Sequence, residues 1–184
     1  MKAVLLTVDI QSDYLARTGL APDSDKFVAS MESALSKIRD RGWNICHCRT
    51  RVSKDRSDWM PHWQRLGRAL CVADTTGYEP PPSLSSNPEE KIFHKRYYSA
   101  FEDEELSLYL NQENIDTLIV AGVYTHACIR STVTDAYAKG FRVFVPTDLV
   151  ASYDPQHAGL TIDWLSGRAA ECMTIDSILE ELDN

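Results

Sequence analysis

Thr117-Leu118-Ile119-Val120-Ala121-Gly122 is an uncharged run, and Val123-Tyr124-Thr125-His126-Ala127-Cys128 follows it directly. A short apolar run with no polar alternation is the pattern of a strand buried on both faces. Thr125 is placed to cap a helix that runs to Lys139 and stops at Gly140. A buried strand passing straight into a helix is one unit of a parallel sheet.

The same alternation extends to both ends of the chain. Ala3 to Val8 is a second uncharged run, ending at Asp9. Asp23-Ser24-Asp25 offers helix caps, Phe27, Met31, Leu35 and Ile38 recur at helical spacing, and Gly42 is a stop signal. Trp43–Cys48 reads as a strand and Lys91–His94 as a weaker one. Ser99 with Glu102 forms a capping box for a helix through Leu106 and Leu110. Phe141–Val145 is a strand closed by Pro146. Asp154-Pro155 opens a helix that Gly167 ends. Ala169–Met173 is a last strand, and Ile175, Ile178, Leu179 and Leu182 mark a terminal helix. The expectation is one domain over residues 1–184: an α/β fold of three layers, α/β/α and Rossmann-like, around a mostly parallel sheet of about six strands. Thr50 to Glu90 has no clear strand, and Asp58–Leu70 is its candidate helix.

Composition narrows the function. At 184 residues the chain suits a single core, and 43% apolar with 25% charged residues argues against disorder. A net charge of −8 repels phosphate backbones, so nucleic acid is not an expected partner. No apolar run approaches the ~18–20 residues that cross a bilayer, so no membrane is expected. The opening run is too short and meets Asp9 too soon for a secretory signal. A soluble, cytoplasmic protein is therefore expected. Five cysteines, an odd count in a reducing compartment, do not suggest a disulfide framework.

Ligands of open parallel sheets bind at the carboxyl ends of the strands. Asp9, Lys95 and Cys128 all fall there. Singly, each has an ordinary reading: a turn cap, a solvated charge, a small buried hydrophobe. Together they are an acid, a lysine and a cysteine, distant in sequence, that would converge on one edge of the sheet. With Thr125 as cap, Cys128 is the third residue of its helix, where unpaired N–H groups and the helix dipole lower a thiol pKa. The same N–H groups suit an oxyanion.

Three blocks resemble one family, the isochorismatase-like hydrolases, in the cysteine-bearing branch of nicotinamidases and N-carbamoylsarcosine amidases. They are Val8-Asp9-Ile10-Gln11-Ser12-Asp13-Tyr14, then Lys95-Arg96-Tyr97-Tyr98-Ser99-Ala100-Phe101, then Leu118 to Cys128 with Thr132, Asp135-Ala136, Gly140, Val143 and Asp148 beyond. The resemblance implies Asp9 as catalytic carboxylate, Lys95 as catalytic lysine and Cys128 as nucleophile. It also implies a cis Val123–Tyr124 peptide, with the Tyr124 and Cys128 N–H groups as oxyanion hole, and a homo-oligomer, dimer or tetramer. The implied activity is hydrolysis of a small amide or related C–N bond through a thioester.

Two departures sharpen this. A cysteine at the nucleophile position argues against the vinyl-ether cleavage of isochorismatases proper. The Asp-x-His pair by which nicotinamidases hold a metal is absent, since the second strand ends His47-Cys48-Arg49-Thr50-Arg51. No metal and no cofactor are expected, and His47 and Cys48 read as packing residues. The expected partner is a small molecule. Arg49, with Arg51 and Arg56, is either solubility charge or a clamp for a substrate carboxylate. Tyr14, Trp63, Tyr98 and Tyr124 are candidate pocket walls, with Trp59 beside them. Two rivals stay open: ether chemistry on Asp9 with Cys128 idle, and a binding or scaffold protein without turnover.

Overall fold

The computed structural model describes residues 2–102 and 104–183. Its strands are Ala3–Val8 (β1), Asn44–Thr50 (β2), Lys91–Lys95 (β3), Thr117–Val123 (β4), Arg142–Pro146 (β5), Val150–Ala151 (β6) and Glu171–Met173 (β7). They form one parallel sheet in the order β3-β2-β1-β4-β5-β7, with β6 pairing β4 beside β5. The expected sheet of about six strands gains this two-residue seventh.

The helices are Ser12–Leu15 (α1), Ser24–Asp40 (α2), Pro61–Leu66 (α3), Glu104–Gln112 (α4), Arg130–Ala138 (α5), Pro155–Leu165 (α6) and Ile175–Asp183 (α7). Two buried clusters show how they layer the sheet. Phe27, Met31, Leu35 and Ile38 of α2 and Ile175, Ile178 and Leu179 of α7 pack on Leu5, Ile45, Ile119 and Phe144. Leu106 and Leu110 of α4, Val133 of α5 and Leu165 of α6 pack on Val4, Leu6, Val8, Cys48 and Val120. Strands β1, β2, β4 and β5 thus send alternate side chains to opposite layers, and the uncharged runs of β1 and β4 suit burial on both faces. Asp23 and Asp154 cap α2 and α6, accepting from Lys26 N and His157 N. Among the described residues no helix is long and apolar enough to cross a membrane.

The order of strand addition reverses between the parallel neighbours β1, from which the sheet grows towards β2 and β3, and β4, from which it grows towards β5 and β7. This switch point opens a crevice at the carboxyl ends of the two strands. Gly122 lets them close up: a Cβ there would lie 2.0 Å from the Val8 carbonyl oxygen, and its φ of +128° disfavours any side chain. The ends of β1 and β4 are held side by side, and so are the residues that follow them.

Three local expectations are corrected. Thr125 is not a cap: Tyr124 holds that position in extended backbone, and Thr125–Ile129 is a π-turn before α5. Glu102 does not close a box with Ser99; its carboxylate takes the amides of Arg96 and Tyr97, and α4 begins at Glu104. The Asp58–Leu70 helix shrinks to Pro61–Leu66, ended by Gly67 with φ +65°. The segment around it is tethered instead by turns. Tyr78 and Glu79 carbonyls accept from Gln11 and Ser12, and the Asp13 carboxylate accepts from Cys71 N at 2.7 Å. Val52, Trp59, Met60 and Trp63 form a small core of their own.

Candidate active site

Asp9 follows β1 with a φ of +58°, a left-handed backbone that a non-glycine residue adopts at a cost of about 1 kcal/mol or more. Its amide still donates to the Cys48 carbonyl at 2.9 Å, as if the strand continued. Carboxylate oxygen Oδ1 accepts from Thr50 N at 3.0 Å and Thr50 Oγ1 at 2.8 Å. Oδ2 lies 2.7 Å from Lys95 Nζ. Beyond that ion pair Oδ2 has no hydrogen-bond partner, alone among the buried side-chain oxygens and nitrogens of the described residues. Oδ2 is the acceptor left open at the site.

Lys95 is the last residue of β3, in register with Thr50. Its ammonium touches Thr50 Oγ1 at 3.0 Å, the Tyr97 carbonyl at 2.9 Å and Cys128 Sγ at 3.4 Å. Three residues from β1, β3 and the turn after β4 therefore meet on one ammonium group, and all three are buried. Burial is the largest influence and works to lower the Lys95 pKa, but the charge and hydrogen bonding of Asp9 together with the neighbouring Cys128 and Cys48 outweigh it and hold the lysine well above its ordinary value.

Cys128 departs from expectation. Burial, and then the negative charge of Asp9, push its thiol up to about 12, while Lys95 pulls the other way. The lowered pKa read from a helix N-terminus assumed a solvated thiol. Here desolvation and a neighbouring carboxylate win, so the resting sulfur carries its proton at neutral pH. The Val123–Tyr124 peptide is cis, and the Tyr124 carbonyl accepts from both Ala127 N and Ile129 N within the π-turn. Tyr124 and Cys128, whose amides were assigned to an oxyanion, thus frame one turn of backbone beside the sulfur.

Cys128 opens onto a cavity of about 310 Å³. Tyr14, Trp63, Tyr98 and Tyr124 all line it, as the sequence suggested. Tyr14 and Tyr124 meet edge to face at 5.5 Å, with the Tyr124 hydroxyl donating to the Tyr14 carbonyl at 2.8 Å. The Tyr14 hydroxyl donates to Thr50 Oγ1 at 3.2 Å, tying the wall to the Asp9 carboxylate. Trp63 arrives from α3, so the long segment after β2 supplies part of the wall.

Arg49 is not there. Its guanidinium lies 3.5 Å from Ser86 Oγ, away from the cavity, because Arg49 and Thr50 alternate across β2. Arg51 faces a separate depression with His94 and Arg96, and Arg56 lies over the Trp59 ring at 5.2 Å. Arg17, Arg68 and Tyr153 do line the cavity and were missed. Arg17 and Arg68 sit in segments without periodicity, and nothing local marks them. His47 bonds Thr7 Oγ1 and Glu90 Oε2 through its two ring nitrogens at 2.8 and 2.9 Å. Cys48 packs in the core.

Residues 3–177 match a family model described as the isochorismatase domain. A streptothricin hydrolase of Streptomyces noursei is 28% identical over 178 residues, 95% of this chain and 66% of that one. An N-carbamoylsarcosine amidase of Arthrobacter sp is 34% identical over 94 residues, 51% of this chain and 36% of that one. The chain thus spans about two thirds of the first relative's length, and its match to the second is shorter still. Among solved structures, an isochorismatase family protein from Desulfovibrio vulgaris superposes with a TM-score of 0.89 at 28% identity, covering 100% of this chain and 99% of that one.

Proposed function

The chain belongs to the isochorismatase family, and from that premise we propose that it is a metal-independent cysteine hydrolase. Its reaction is the cleavage of a small amide or related C–N bond through a thioester on Cys128. The observation that carries the reading is the Lys95 ammonium in contact with both the Asp9 carboxylate and the Cys128 sulfur. Relatives described as a hydrolase and an amidase support the same class.

The buried trio begins as Lys⁺, Asp⁻ and a neutral thiol. Asp9 Oδ2 takes the thiol proton, and the result is Lys⁺, a neutral acid and a thiolate. The net charge stays zero, so the step buries no new charge, and Lys95 stabilises the anion on either partner. The thiolate adds to the substrate carbonyl, and the oxyanion is held by the Tyr124 and Cys128 N–H groups. Asp9 returns its proton to the nitrogen, the C–N bond breaks and the amine leaves. A water then gives its proton to Asp9 and attacks the thioester. The carboxylic acid leaves and the thiol is restored. Thr50, bonded to Asp9 and Lys95 alike, keeps the carboxylate aligned throughout.

The raised thiol favours one second reading, in which Asp9 protonates an ether and Cys128 forms no bond. Acid quenching during turnover of a panel of small carboxamides and ureido acids separates the two. The first requires an acyl mass increment on the Cys128 peptide together with ammonia or amine release. Turnover of a vinyl ether added to the panel, without any adduct and undiminished in Cys128→Ala, would establish the second.

A further inference from the structure

Two charged groups at the cavity have no part in the reaction above. They are Arg17 and Arg68. The cavity lining holds no aspartate or glutamate, although the chain has 27 acidic residues against 19 basic ones. The one carboxylate near the sulfur, Asp9, is already paired with Lys95 at 2.7 Å. The cavity is therefore a positive patch in a negative protein.

Other arginines of the chain are matched with carboxylates: Arg39 with Glu90, Arg41 with Asp183, Arg96 with Glu102. Among the described residues no ion pair joins Arg17 or Arg68 to an acid. Arg17 is oriented all the same. Its guanidinium carbon lies 3.9 Å from the centre of the Tyr153 ring. Stacking fixes the plane of the group and leaves its N–H edge to pair in plane with a carboxylate. Six aromatic rings line the same space, Tyr14, Trp63, Tyr97, Tyr98, Tyr124 and Tyr153. Such walls favour a flat body over a branched one.

We infer that the cavity selects a flat, small amide bearing a carboxylate, which Arg17 and Arg68 hold while the amide carbonyl lies at Cys128. The inference rests on the amide-hydrolase reading, so it is tested by binding, and turnover judges that reading separately. The probes share one body and differ in charge: 4-carbamoylbenzoate, benzamide and 4-(aminomethyl)benzamide. Titration calorimetry on the full chain carrying Cys128→Ala should rank them in that order. The anion should bind at least about tenfold more tightly than benzamide, the ratio of one charge-assisted hydrogen-bonded pair. The ratio should shrink with added salt. Arg17→Gln and Arg68→Gln should each reduce it several-fold, and the double variant should erase it. Both side chains are exposed, so these changes leave the core untouched. Equal or tighter binding of benzamide, no binding of 4-carbamoylbenzoate at millimolar concentration, or a preference surviving the double variant would each overturn the inference. An acyl adduct on Cys128 of the unsubstituted chain with any amide upholds the hydrolase reading whatever the ranking.

Discussion

Two buried polar clusters hang from β1 and β2 only two residues apart, and they are built on opposite plans. In the first, Thr7 bonds His47 and His47 bonds Glu90, which also takes Arg39 Nε at 2.8 Å and the Asn87 amide at 2.9 Å. Each of these groups has its partners, and the cluster pins the end of the long segment to the sheet edge. In the second, Asp9 has a left-handed backbone and an oxygen with an ion pair but no hydrogen bond, beside a thiol that holds its proton. Both contain charges, and their carboxylates are similarly shielded, with Glu90 at 5% and Asp9 at 0% side-chain exposure, so neither charge nor carboxylate burial separates them. What separates them is saturation. A cluster with every acceptor filled has nothing left to exchange, whereas an unfilled acceptor next to a protonated thiol is poised to take a proton.

The largest effect expected of this contrast is on turnover. Cys128→Ala and Asp9→Asn should each reduce kcat by about 10⁴-fold or more, and the double variant should be hardly worse, because residues on one proton path fail together. Strictly multiplicative losses in steady-state kinetics would dissolve the trio into independent groups. Glu90→Ala should do the reverse, leaving kcat nearly unchanged while lowering unfolding free energy by about 3 kcal/mol in urea titration.

Acid should tell the same story. Burial works to raise the Glu90 carboxyl, but hydrogen bonds from His47, Arg39 and Asn87 prevail and hold it at about 2. A depressed carboxyl contributes stability above its unfolded pKa and loses it as pH falls through the folded value. The unsubstituted chain should therefore lose stability between about pH 4.5 and pH 2, and Glu90→Gln should flatten that slope. An unchanged slope would mean that other carboxylates govern acid unfolding.

Alkylation tests the other cluster. A thiol at about 12 reacts through its small thiolate fraction, so iodoacetamide modification of Cys128 should rise about tenfold per pH unit above neutrality without levelling off. Peptide mapping that finds a plateau near neutral pH would restore the lowered pKa suggested by the helix position. The smallest effect belongs to Thr50, whose hydroxyl donates to Asp9 and accepts from Lys95. Thr50→Val should slow turnover about tenfold, the loss of one hydrogen bond to a charge. A rate within twofold of the unsubstituted chain would remove Thr50 from the alignment of Asp9.

The layers were legible because their causes are local. An uncharged run such as Thr117–Gly122 has one comfortable place, inside a sheet covered on both faces, and all of Thr117–Val123 is buried. Asp23 and Asp154 act as caps because the bond each makes spans three residues. The rim residues were legible for a related reason: a residue at the end of a parallel strand lies at the carboxyl edge of the sheet, as Asp9 does after the buried β1 and Lys95 at the end of the edge strand β3. What followed from sequence alone was therefore the fold class and the meeting of Asp9, Lys95 and Cys128, while the order of the strands came from the structure.

Tertiary structure decided the rest. The cap at Thr125 failed because the backbone from Tyr124 takes a π-turn, with two amides returning to one carbonyl. The helix dipole misread Cys128 because a pKa answers to the whole surroundings, and those include burial and a carboxylate brought from 119 residues away (128 − 9). Arg49 was misassigned because proximity along a strand says nothing of which face a side chain takes, and Thr50, its neighbour, turned to the site instead. Arg17 and Arg68 gained their places only when the turns after α1 and α3 came together at one cavity. Strands and caps are set by neighbours in the chain; the state of a buried thiol and the charge of a pocket are sums over groups that only folding brings together.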